Sequence, residues 1–426
     1  MRCFFRSLQQ ARALHSRHSL QQCRSAPGFY HRRAPASAST LRVPSLFLHL
    51  QSHRHPHRHP HPRRHLAKMG STDVAPPSGA SATSDLKANF KAVFPELVDE
   101  IMAELHDQFD LPEDALKYIR HNLEYNVPHG KLNRGLAVSH CYKAFRKGDA
   151  IKPHEERAAY ILGWCVELLQ AFFLVADDIM DASVTRRGQP CFFRLPQVGL
   201  NAINDSLVLE SMIYRLIRKH FRDSSVYVDL VHLFQDITYT TEIGQLLDLT
   251  SNEADKVQLD RFTDDALARI YKYKTSHYTF YLPVALGMRL AEVSDQKCYD
   301  TAKQICLKIG HFFQAQDDFL DAFGDPEVTG KVGTDIEENT CTWLIVEALK
   351  VATPADMAIL NENYGVKNKA NSDKVKEVYT RLGLKDKFLK FENKTYEEAT
   401  KMIEDVSGMP TGAFEFLLTS LYKRKK

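Results

Sequence analysis

The chain has 426 residues, 44% hydrophobic and 26% charged, which supplies apolar material for a large core and excludes a wholly disordered protein. Its net charge of +3 conceals an asymmetry: thirteen of the 56 lysines and arginines precede Asp73, the first acid, leaving 43 against 53 acidic residues in the remainder. An acidic body excludes non-specific nucleic-acid binding, and no charge-free apolar run of about eighteen residues marks a transmembrane segment.

Residues 1–68 are rich in Arg, Ser, Ala, Leu and His and contain no Asp or Glu, the composition of a transit peptide, so a mitochondrial address is expected. The tract from His53 to His61 interleaves His with Arg and Pro; its prolines prevent a rigid metal site, and it reads as low complexity. Met69 follows this segment, and a product starting there would lack the address and be cytoplasmic. Residues 69–84, mostly small and polar, read as a linker, and residues 85–426 as one domain. The eight cysteines include no CxxC pair, which argues against a disulfide framework or a zinc site and for a reducing compartment.

From Asp85 onward apolar residues recur at three- and four-residue spacing, few Gly or Pro interrupt them, and no strand-like alternation recurs, so the expected fold is all-α. The turn HGKLNRG places two cations, Lys131 and Arg134, beside glycine. Ala158 to Met180 is apolar on nearly every side, the pattern of a helix in the middle of a bundle, yet it ends in acids. Those acids, Asp177, Asp178 and Asp181, form a DDxxD motif in which Asp177 and Asp181 lie one turn apart on one face. Such like charges repel unless a cation sits between them, and carboxylates with phosphate oxygens are the ligands magnesium prefers. Phe172 and Phe173 lie about one turn below Asp177 and would floor a cavity opening at that helix end.

Arg186 and Arg187 follow the first motif, and Lys274-Thr275 stand in YKYKTSHYTFYLP. A second DDxxD, Asp317, Asp318 and Asp321, ends another apolar helical stretch and is followed by Lys331 in DPEVTGKVGTD. Two acid-tipped helices facing one cavity can hold a cluster of Mg²⁺ ions against a diphosphate and neutralise the charge that grows as it leaves. Arg suits bidentate phosphate binding and Lys point-charge neutralisation. Neither acid segment has the glycine and glutamate of an EF-hand loop.

Taken together, DDIMDxSxTRRGxxC, the KxxRG turn, YKYKT and QDDFLDxFGDPxVTGKxGTD resemble the farnesyl diphosphate synthases of animals, within the short-chain trans-isoprenyl diphosphate synthases, from about residue 90 to the C-terminus. The resemblance implies an isoprenoid-synthase-type bundle of roughly ten main helices around a central cavity, paired as a homodimer. It implies that Asp177, Asp181, Asp317 and Asp321 hold three Mg²⁺ ions on the allylic diphosphate, and that Arg186, Lys274 and Lys331 grip the same diphosphate. Lys131, Arg134, Gln170 and Arg187 would form a metal-free pocket for isopentenyl diphosphate. The Lys274 carbonyl, the Thr275 hydroxyl and the Gln314 amide oxygen would face the allylic cation, with the basic tail Lys423 to Lys426 closing over the second substrate. The implied reaction is the condensation of isopentenyl diphosphate with dimethylallyl and then geranyl diphosphate, giving farnesyl diphosphate; the aromatic pair Phe172 and Phe173 accompanies that fifteen-carbon product.

Three positions depart from the family's pattern. Thr340 stands where a lysine usually touches the allylic diphosphate, His129 where the turn usually has a second glycine, and His277 where an apolar residue usually follows Lys274-Thr275. They keep two alternatives in view: a synthase stopping at geranyl diphosphate, and a family-derived terpene synthase that ionises a prenyl diphosphate and eliminates or cyclises. Retention of Lys131, Arg134, Gln170 and Arg187 favours condensation, and completeness of both acid motifs disfavours a non-catalytic subunit.

Overall fold

The computed structural model describes residues 79–251, 257–330 and 332–422, with side chains from Leu86 onward. Residues 1–68 with the histidine tract, Lys331 and the tail Lys423 to Lys426 lie outside the described residues. The described part belongs to one unit, Ala75–Lys426.

Helices follow one another as the apolar spacing predicts: α1 Gly79–Phe109, α2 Glu113–Asn126, α3 Asn133–Phe145, α4 Pro153–Met180, α5 Ala202–Phe221, α6 Tyr227–Leu249 and α7 Asp264–Ile270. After an eleven-residue π-helix, Tyr271–Tyr281, come α8 Leu282–Leu290, α9 Gln296–Phe323, α10 Pro326–Thr329 and α11 Trp343–Leu349. The chain closes with α12 Pro354–Asn363, α13 Lys369–Arg381, α14 Leu384–Glu404 and α15 Gly412–Leu421. Helix α1 begins at Gly79, inside the segment read as linker. Among the described residues the sheet is limited to one hairpin, Thr185–Arg186 (β1) against Gln189–Pro190 (β2), too short for periodicity to reveal.

Helix α4 is the axis of the bundle. Pro153 opens it at a position where the missing amide costs nothing, and the Glu155 carboxylate accepts the Lys152 amide at 2.8 Å to close its first turn. Its apolar stretch is long enough to cross a membrane, but 83% of that window is buried inside the fold, against α3 on one side and α5 on another. Contact with α3 is at backbone distance: a Cβ on Gly163 would lie 2.6 Å from the Gly135 carbonyl oxygen.

The sequence gives YKYKTSHYTFY no mark that separates a π-helix from an α-helix. Its neighbours supply the explanation. A Cβ on Gly244 of α6 would come within 2.1 Å of the Lys274 amide nitrogen, and one on Gly310 of α9 within 2.3 Å of Ser276 Oγ. Two glycines on facing helices therefore leave room for the wider coil, and wide turns of this kind concentrate at functional sites.

Candidate active site

The C-terminal half of α4, the start of α3, the β1–β2 hairpin, the end of α6, the π-helix and α9 enclose a cavity of about 1090 Å³. Asp177, Asp181, Asp317 and Asp321 line it together, although the two motifs lie far apart in sequence. Lys131, Arg134, Gln170, Arg186, Arg187, Lys274, Thr275 and Gln314 line it as well, as do Thr340 and His129.

One end is built of acids and cations in alternation. Lys274 Nζ donates to Asp248 Oδ2 at 2.6 Å and lies 3.4 Å from Asp177 Oδ1, which also accepts from Gln245 Nε2 at 3.0 Å. Burial works against charge on Asp177, but Lys274 and Arg186 outweigh it and hold the carboxyl below its ordinary value. Asp181 goes the other way, pushed up to about 8 by burial and by the Asp177 charge. Glu338 on the same wall is pushed up to about 7 by burial, with Asp321 and Asp177 adding to it. Crowded, partly buried carboxylates of this kind need a cation to be comfortably ionised together. Their hard oxygen donors suit magnesium. Among the described residues no three His, Cys, Asp or Glu side chains form a metal-binding group by themselves.

The middle aspartates turn away from this role. Asp178 is buried and accepts from Arg186 through Nε at 3.0 Å and Nη2 at 2.6 Å, which aims the guanidinium along the cavity wall, 3.7 Å from Asp177 Oδ2. Asp318 is buried too, and accepts from the Tyr271 hydroxyl, from the Trp343 amide at 2.7 Å and from Gln314 Nε2 at 3.2 Å. That last bond fixes the Gln314 amide so that its oxygen accepts from Thr275 Oγ1 at 2.8 Å.

The other end holds guanidiniums. Arg187 and Gly188, with φ of 56° and 79°, form the two-residue loop of the hairpin, a tight turn that needs left-handed backbone at both positions. Arginine in that region is strained, and across this tight turn neighbouring arginines meet different partners. Arg186 goes to the acids, while Arg187 donates to the Asn126 carbonyl at 3.2 Å and lies against Gly130. Arg134 donates to Thr279 Oγ1 through Nε at 3.2 Å and Nη2 at 3.1 Å, its guanidinium 5.2 Å from the centre of the Tyr278 ring.

Phe172 and Phe173 occupy different environments, and two of the three departing positions make contacts of their own. Phe173 lines the cavity, 5.4 Å from Tyr278 by ring centroids, while Phe172 packs in the core with its ring 4.8 Å from that of Phe173. His277 stands outside the cavity wall, buried against Tyr273 and Tyr281, where burial, Lys303 and Lys272 push it down to about 4. His129 lines the cavity beside the turn, and its ring pairs with the Glu124 carbonyl at 2.9 Å. Asp248, Gln245, Glu167 and Glu338 went unrecognised in the sequence, although GQLLD ends an apolar helix in an acid just as the DDxxD helices do.

A family model described as polyprenyl synthetase matches residues 116–382. The farnesyl pyrophosphate synthase of Homo sapiens is 46% identical over 352 residues, spanning 80% of this chain and 83% of the relative. That of Saccharomyces cerevisiae is 41% identical over 352 residues, 82% of this chain and 100% of the relative. Among solved structures, farnesyl diphosphate synthase of T. brucei complexed with risedronate superposes with a TM-score of 0.75 at 34% identity, covering 80% of this chain and 100% of that one. With this fold, this cavity and a match over most of its length, the chain belongs to the polyprenyl synthetase family.

Proposed function

We propose that this chain is a short-chain prenyltransferase that condenses isopentenyl diphosphate with dimethylallyl diphosphate and then with geranyl diphosphate, giving farnesyl diphosphate. One observation carries the reading: a single cavity has an acid-and-cation end around Asp177 and Asp317 and a separate guanidinium end around Arg134 and Arg187. Two diphosphates can be met at once, one with divalent ions and one by side chains alone. An enzyme that only ionised one prenyl diphosphate would need no second anion pocket.

Lys274 and Arg186 would hold the allylic diphosphate while its bond to C1 breaks, and magnesium bound to Asp177, Asp181, Asp317 and Asp321 would supply charge neutralisation for the leaving group. Lys131, Arg134, Gln170 and Arg187 would hold isopentenyl diphosphate so that its double bond attacks C1. Loss of a proton from the adjacent carbon then restores a double bond, the departed diphosphate taking the proton. Thr275 and Gln314 present oxygens to the carbocation, and the Thr275–Gln314–Asp318 chain supports that orientation by fixing the amide. Phe173 sets the depth available to the tail, which supports a fifteen-carbon product.

We further propose a homodimer, magnesium as the metal, and mitochondrial delivery by residues 1–68. The dimer is supported by exposed apolar side chains at Leu200, Ile203 and Leu207 beside and on α5 and at Tyr239 and Leu246 on α6, a band that a second copy would cover. The acid-free leader supports delivery. The reading is tested with the protein starting at Met69, supplied with Mg²⁺ and geranyl diphosphate, with and without isopentenyl diphosphate. Farnesyl diphosphate formed only when isopentenyl diphosphate is present supports condensation, and a volatile terpene formed without it overturns it.

A further inference from the structure

Helix α3 has no side-chain cap of its own. The residue before its first turn is Leu132, left-handed at φ 60°, and it offers no acceptor to the amides that a helix start leaves orphaned. One of those amides, Gly135 N–H, donates instead to Glu167 Oε1 at 2.8 Å, and Glu167 belongs to α4. Glu167 is 3% exposed and lies on the cavity wall one turn before Gln170. The approach requires glycine at 135, since a Cβ there would sit 3.1 Å from Glu167 Cγ and 2.9 Å from the Gly163 oxygen.

A buried carboxylate is costly unless it has partners. Burial pushes the Glu167 carboxyl up, while the Gly135 amide and the Arg134 and Arg187 charges favour its ionised form. In turn, Arg134 disfavours charge on Arg187 and Glu167 favours it. The carboxylate thus sits at the positive end of α3, where the amide it accepts and the nearby Arg134 and Arg187 charges favour it.

We infer that Glu167 is the positioning residue of the isopentenyl diphosphate pocket: it caps α3 from the neighbouring helix and so sets the turn that carries Lys131 and the first helical turn that carries Arg134. This rests on the two-substrate reading above. It predicts an effect on one substrate and not on the other, which a purely structural role would not give.

The test is steady-state kinetics of the wild type, Glu167→Gln and Glu167→Ala, varying isopentenyl diphosphate at saturating geranyl diphosphate and the reverse, beside thermal unfolding of each protein. Glu167→Ala removes cap and charge and should raise KM for isopentenyl diphosphate about tenfold, with KM for geranyl diphosphate within about twofold of wild type. Glu167→Gln keeps the acceptor and should fall between the two. Equal rises in both KM values, or a lowered Tm with both KM values unchanged, would overturn the inference. Should Glu167→Ala not fold, Glu167→Gln decides: a selective rise for isopentenyl diphosphate supports the role and unchanged KM contradicts it. A wild type that needs no isopentenyl diphosphate sinks the reading of function, whereas a dependent wild type with insensitive variants sinks only this inference.

Discussion

The two DDxxD motifs are spelled alike and built differently. In the first, the middle acid Asp178 pairs with a cation, Arg186, and the outer acid Asp177 lies between Lys274 and Arg186. In the second, the middle acid Asp318 collects neutral donors: the Tyr271 hydroxyl from the π-helix, the Trp343 amide at the start of α11, and the Gln314 side chain one turn back. The Asp321 carboxylate accepts the Asp335 amide at 3.1 Å, tying the loop before α11 to the same helix end. The first motif is an electrostatic cluster that fixes the Lys274 and Arg186 cations. The second joins three segments of backbone and the Gln314 amide. In each motif the two outer acids line the cavity, and the inner acid is tied to donors of the protein itself.

The comparison breaks first at the outer acids, where the expected effect is largest. Asp177→Ala and Asp317→Ala should each lower kcat on the order of 10²- to 10³-fold, because each removes stabilisation of the departing diphosphate. A loss confined to KM in either variant would contradict their shared role.

Next come the inner acids, where the motifs should diverge. Asp318→Asn sets an amide against the Tyr271, Trp343 and Gln314 donors, and leaving buried donors unsatisfied costs about 1 to 3 kcal/mol, so Tm should fall by several degrees. Asp178→Asn weakens a charge-assisted bond to Arg186 and should act on binding, raising KM for the allylic substrate on the order of tenfold with a small change in Tm. Identical profiles for the two variants in thermal melts and kinetics would show that the difference in partners has no consequence.

Chain length separates Phe173 from Phe172. Phe173→Ala should lengthen the product by opening the floor of the cavity, read by chromatography of the dephosphorylated alcohols. Phe172→Ala should leave product length near wild type and lower stability, as core Phe truncations do by about 3 to 5 kcal/mol. Longer products from Phe172→Ala alone would restore the pair reading.

The smallest effect is expected at Thr340. Its carbonyl accepts from the Tyr364 hydroxyl at 2.6 Å, a bond that a substitution leaves in place, and Lys367 already brings a positive charge to bear on Glu338 from the same wall. Thr340→Lys should lower KM for the allylic diphosphate only a fewfold, the scale of a solvent-screened charge contact. An unchanged KM would mean that this position does not limit binding.

The sequence revealed what local chemistry dictates. Acids at the ends of apolar helices and cations beside glycine turns stand out because they are expensive where they are, and Asp177, Asp317, Lys131 and Arg187 all reach the cavity. Geometry set by a neighbour was not legible. The π-helix depends on Gly244 and Gly310 of two other helices, the cap on Gly135 comes from α4, and the roles of Asp178 and Asp318 are chosen by Arg186 and by Tyr271 and Trp343. Phe172 and Phe173 read alike in the sequence and are told apart by the packing around their helix, which brings Phe173 to the cavity and puts Phe172 in the core.

The most direct measurement is the count of labelled units in the product. The protein starting at Met69 is given Mg²⁺, unlabelled dimethylallyl diphosphate and isotopically labelled isopentenyl diphosphate, and the product is weighed by mass spectrometry. A cavity that meets two diphosphates and is floored by Phe173 predicts a fifteen-carbon diphosphate carrying two labelled units. An unlabelled hydrocarbon would contradict the account.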